Sequence, residues 1–166
     1  MRGRRSEHAA DLVYGGAKRS AGPISAVRDG LRRAMINAMV EEELSSRVIG
    51  AAIAVHASLG PGLAESAYAN ALAVEFAARG IRYERQKVIR VFHREVDVGE
   101  HRLDFLVETS LLVGIKAVPL LEEAFFVTAR AQMRAAEIRD GLILNFAALP
   151  LAIKRVGAGR GSGVGI

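Results

Sequence analysis

Three residues stand where their types and spacing could do chemistry: Glu65, Asp104 in the run HRLDFLVE, and Lys116 in LLVGIKAV. In an extended strand Asp104 faces away from Leu103 and Phe105 and shares a side with Arg102 and Leu106. An acid on one strand and a Lys on its neighbour is how a metal-dependent nuclease builds its site. Two or three carboxylates hold Mg²⁺, the ion activates water and offsets charge on the scissile phosphate, and the Lys positions or deprotonates that water. Because side chains repeat with period two, the second acid belongs two residues before the Lys. Gly114 stands there. The competing reading of Asp104 and Lys116 is a structural ion pair, the usual reason for charges near a core.

Glu65 shares a helical face with Tyr68, Leu72 and Phe76, at i+3, i+7 and i+11. A carboxylate on that packed side needs a metal, a cation or hydrogen-bond donors, since burying it alone costs several kcal/mol. Its plainer role is an acid at a helix start, favoured by the dipole. His56 is one of four scattered histidines without ligand spacing, so a zinc site has no support. There is no phosphate-cradling glycine loop, nucleophile elbow or Cys/His pair.

The elements that must position these residues can be read from periodicity. Over 41–59, Leu44, Val48, Ala52, Val55 and Leu59 recur at three and four, predicting a helix stopped by Gly60 and Pro61. A short helix near Ala26 is expected to lead into it. A second helix is expected over 63–79, before Gly80. IRYERQ, VIRVFH, HRLDFLVE and LLVGIKAV read as strands, residues 120–138 as a third helix, and GLILNF and LAIKRV as closing strands. This order predicts a mixed α/β sandwich, not a regularly alternating parallel sheet.

Charge is unevenly placed. Residues 1–40 hold eight Lys/Arg against three Asp/Glu, whereas the remainder holds fifteen of each. Only this arm, with Arg2, Arg4, Arg5, Lys18 and Arg19, offers phosphate neutralisation in bulk. The chain is thus expected to divide into a basic, largely flexible extension over 1–40, one domain over 41–156 and a glycine-rich tail over 157–166. No apolar run reaches the roughly 20 residues of a bilayer span, and the Arg-rich start is not followed by a secretory-type apolar segment. Without cysteine, disulfides and thiolate metal sites are excluded, and a cytoplasmic location is expected. A hydrophobic fraction of 51% is high for a soluble monomer of this size and points to self-association.

The segments VIGAAIAVHASLGPGLAESAYANALAVEF, GIRYERQ, HRLDFLVE, VGIKAV and GLILNF resemble the bacterial GxxExxY proteins, a branch of the PD-(D/E)XK nuclease superfamily. The likeness runs over 44–156, and its name motif appears as Gly62, Glu65 and Tyr68. It implies a three-layered α/β core of order αβββαβ, with Glu65, Asp104 and Lys116 at positions around a divalent metal. Relatives typically carry Glu, Leu, Lys where this chain has Gly114, Ile115, Lys116. Their following helix offers His and Gln where counting back from Asn145 and Phe146 places Phe125 and Thr128.

Three polar positions have therefore changed together, and losing one ligand from so small a set should remove tight Mg²⁺ binding and most cleavage. Glu122 and Glu123 are candidate substitutes, although their plainer role is to complement the start of the third helix. Phe125 and Phe126 stand where a nucleic-acid groove would want polar groups, and are candidates for an interface or for burial in the monomer. The expected protein keeps a nuclease fold, has lost cleavage, needs no cofactor and works as a self-associating structural or binding protein. The alternatives are a Mg²⁺-dependent nuclease on DNA or RNA, and non-cleaving nucleic-acid binding through the basic arm.

Overall fold

A computed structural model describes residues 23–157. Arg2, Arg4, Arg5, Lys18 and Arg19, and the tail from residue 158, lie outside the described residues. The chain divides into two compact units with the boundary after Met35. Helix α1, Pro23–Leu59, contributes the described part of the first unit and opens the second. Pro23 suits the first helical position, where its missing N–H costs nothing and its φ is already helical. The helices expected near Ala26 and over 41–59 are therefore one.

In the second unit α1 is followed by α2 (Glu65–Ala78), β1 (Tyr83–His93), β2 (Val96–Val107), β3 (Leu111–Lys116), α3 (Glu123–Ala135), β4 (Asp140–Asn145) and β5 (Ala152–Gly157). The strands form one sheet in sequence order. Neighbours are antiparallel except β3 and β4, which run parallel with α3 as their crossover. This is a five-stranded mixed sheet flanked by helices, the α/β arrangement expected. Among the described residues, no helix is long and apolar enough to cross a membrane.

Two apolar clusters cover the faces of the sheet. On one, Leu44, Val48, Ala51, Ala52 and Val55 of α1 and Tyr68, Leu72 and Phe76 of α2 pack on Phe105, Val113, Ile115 and Leu144. On the other, Ala129 and Met133 of α3 pack on Leu103, Leu106, Leu112 and Ile143. Strand alternation does the sorting: residues 113 and 115 go to one layer and 112 to the other. At Gly141, under α3, a Cβ would stand 3.0 Å from Met133 Sδ, so a bare backbone lets the helix lie close.

IRYERQ and VIRVFH, which the sequence reads as two strands, are one continuous β1. Gln86 adopts a φ of 53°, yet Arg85 and Lys87 keep their partners Phe105 and Leu103 on β2. β2 begins five residues before the expected HRLDFLVE, because Arg94 and Glu95, both at positive φ, close a tight hairpin without a glycine or asparagine to signal it.

Candidate functional site

The site gathers where the start of α2 meets the end of β3. Gly62, at a φ of 108°, turns the chain between α1 and α2 in a region closed to most side chains. Tyr68 then ties this loop down from inside. Its hydroxyl donates to the Gly60 carbonyl at 2.7 Å and accepts the Leu63 N–H at 3.1 Å, while its ring stacks on Phe146 at 4.5 Å. The clamp fixes the first turn of α2, which carries Glu65.

Asp104 lies at a divergence of strands. Paired residues of β2 and β3 run from Val107 opposite Leu111 to Phe105 opposite Val113, and there the pairing ends. One step on, Asp104 stands across from Gly114, and its Oδ2 accepts the Ile115 N–H at 2.9 Å. The carboxylate thus takes over a backbone donor that a continuing ladder would have used.

Lys116, the last residue of β3, is held from three sides. Its ammonium donates to the Ile115 carbonyl at 2.8 Å, approaches Glu65 Oε2 at 3.5 Å and lies 5.5 Å from the Phe125 ring centre. Glu65 Oε1 also accepts the Ala117 N–H at 3.4 Å. Beyond the strand, Asn145 brackets Val118, accepting its N–H at 3.1 Å and donating to its carbonyl at 2.7 Å. That buried amide fixes the chain as it leaves Lys116.

Two cavities meet at Asp104. One, of about 310 Å³, lies toward α2 and is lined by Glu65, Ser66, Arg85 and Gln86 among others. The second, of about 260 Å³, lies toward α3 and is lined by Arg102, Gly114, Lys116, Phe125, Thr128 and Gln132 among others. The nearest atoms to a Cβ built on Gly114 are 3.8 and 3.9 Å away, so a Cβ would fit there in ordinary van der Waals contact, facing the cavity that Gly114 lines.

A divalent cation needs several oxygen ligands and negative surroundings. The charged side chains lining these cavities are two acids, Glu65 and Asp104, and three bases, Arg85, Arg102 and Lys116. Both carboxylates already accept backbone N–H groups. Among the described residues no three His, Asp or Glu side chains are grouped so as to hold a metal. The donor set does not fit Mg²⁺.

The structure therefore brings Glu65, Asp104, Lys116, Phe125 and Thr128 to one place. Glu122 and Glu123 are not part of it: Glu122 is an exposed residue at the start of α3, and Glu123 forms an ion pair with Arg130. Phe125 and Phe126 are both half-buried against the α3-side core. His56 is structural, its Nε2 lying 3.0 Å from the Ala148 carbonyl. The sequence reading missed the clamp of Tyr68 and the bracket of Asn145; for Tyr68 the available signal was a hydroxyl on an otherwise apolar face.

A family model described as the PD-(D/E)XK nuclease superfamily matches residues 42–156. Searches of the curated proteins and of the solved structures find no match.

Proposed function

Since this chain belongs to the PD-(D/E)XK nuclease superfamily, we propose that it is a member of the GxxExxY branch that keeps the fold without the cleavage chemistry and works as a self-associating structural or binding protein. The observation that carries this reading is the unfilled space at Gly114, between Asp104 and Lys116, in a pocket whose lining has one more base than acids. With only two carboxylates, each already accepting a backbone N–H, Mg²⁺ would lack both the ligand number and the field that a hard cation requires. Phe125 adds to this, covering the Lys116 ammonium with a ring where the GxxExxY resemblance implies a polar group.

Incubating the protein with Mg²⁺ or Mn²⁺ and single- and double-stranded DNA and RNA tests the reading. The expected result is no cleavage above that of a heat-inactivated control. Cleavage that disappears in Asp104→Ala would overturn it and favour the metal-dependent nuclease. Support for self-association comes from large apolar side chains left in solvent, among them Leu31, Met35, Met39 and Val127. Native mass measurement at micromolar concentration is expected to give more than one copy per particle. The basic arm over 1–40 supports a second reading, non-cleaving nucleic-acid binding, for which affinity should fall steeply with salt.

A further inference from the structure

On α1, Val27, Leu31, Met35 and Met39 recur every four residues and are 62, 62, 67 and 70% exposed. Ala34 and Ala38 lie exposed between them. Residues four apart share one side of a helix, so these side chains form a row. Single exposed apolar groups are ordinary, whereas a contiguous row marks a contact surface.

The charges beside the row say what covers it. Arg28 and Arg32 flank its first half and Glu43 its far end, and among the described residues none of the three has an ion-pair partner. Glu42 is instead held by Arg155 at 2.8 Å. A segment basic at one end and acidic at the other complements itself only when a second copy runs the opposite way. Parallel pairing would set Arg28 on Arg28 and Glu43 on Glu43, whereas antiparallel pairing sets Arg28 beside Glu43. The small Ala34 and Ala38 leave room for two backbones to approach.

We infer that residues 27–35 of one copy pack antiparallel on residues 35–43 of a second copy, with Leu31 against Met39 and Arg28 beside Glu43. This rests on the self-association proposed above and names its surface and register. The contact is isologous: each copy supplies both halves, and the dimer closes on itself.

The full chain has no cysteine, which makes the register directly testable. A Leu31→Cys chain mixed with a Met39→Cys chain should form a disulfide-linked dimer on mild oxidation, and neither should do so alone. In the antiparallel register like positions lie eight residues apart, about 12 Å along the helix, beyond the reach of a disulfide. Leu31→Glu should yield monomer, and Glu43→Arg should weaken the dimer about two- to fivefold. Adding Arg28→Glu to Glu43→Arg should restore it.

Cross-linking of Leu31→Cys with itself would overturn the antiparallel register. A wild-type chain that associates while Leu31→Glu leaves its mass unchanged would overturn this surface and spare the self-association reading. A wild-type chain that stays monomeric at micromolar concentration would overturn both.

Discussion

The Asp104 carboxylate accepts the Ile115 backbone N–H at 2.9 Å, at the point where β2 and β3 stop pairing. A residue that the resemblance implies is a metal ligand is thus employed in holding the sheet together. Asp104→Ala orphans a donor in a largely buried strand and should cost about 1–3 kcal/mol, read from urea unfolding. Asp104→Asn retains an acceptor oxygen and should stay within about 1 kcal/mol of wild type. Equal, negligible losses from both would show that the hydrogen bond contributes nothing.

Gly114 is the position at which metal affinity should be recoverable. A Cβ there would make only ordinary contacts, at 3.8 and 3.9 Å, and the residue lines a cavity with Asp104 and Lys116, so Gly114→Glu is expected to add a third carboxylate to it. The variant should be stabilised by Mn²⁺ in a thermal melt, because a ligand that binds only the folded state raises its melting temperature. The wild-type melt should not respond to the same concentration. An equal response from both would show that Glu65 and Asp104 already suffice.

Tyr68→Phe removes one hydroxyl and with it both ties to the loop before α2. The ring can still stack on Phe146, so the loss should be polar and local, about 1–2 kcal/mol by chemical denaturation. A loss near zero would mean that water replaces the hydroxyl and the loop needs no clamp.

Glu41 gives the protein a pH dependence of defined sign. Burial, and then the facing Asp140 carboxylate, raise its pKa above the usual carboxylate value, with Arg139 opposing. A carboxyl raised in the folded state favours folding while it is protonated, and that contribution is lost as pH rises through the folded pKa. Glu41→Gln should therefore raise the melting temperature at pH 7, with the gain shrinking as pH falls below the ordinary carboxylate range. A gain independent of pH would assign the effect to something other than ionisation.

Much of the fold was legible because the helices and β3 obey their periods, although in β2 the expected common face of Leu103 and Phe105 is broken, the two packing in opposite layers. Leu44, Val48, Ala52 and Val55 recur at helical spacing and are buried. Residues 112, 113 and 115 alternate between the two layers as strand geometry demands. The misread places are those where the backbone departs from the preferences of its residues. Gln86 takes a positive φ inside β1, and the polar run around it looked like a connector. Arg94 and Glu95 make a hairpin turn with residues that seldom occupy one, which hid the first five residues of β2.

The site was legible to a different degree. Periodicity put Asp104 and Lys116 on strands and Glu65 on a helix, but gave no reason for α2 to deliver Glu65 to the end of β3. That grouping came from the resemblance, as did the positions of Phe125 and Thr128. Invisible to both was the work of polar groups on backbone: the Tyr68 hydroxyl on the loop and the Asn145 amide on Val118. A hydroxyl or amide in an apolar run says that a partner must exist, not where along the chain it lies.

Gly141 sets how closely α3 can lie on the sheet. Met133, fully enclosed, rests over its bare backbone. A methyl group there would press on the thioether like a shim beneath a floorboard, and the sulfur would have to give by a few tenths of an ångström. The snug seat of the crossover helix thus depends on a side chain that was never added.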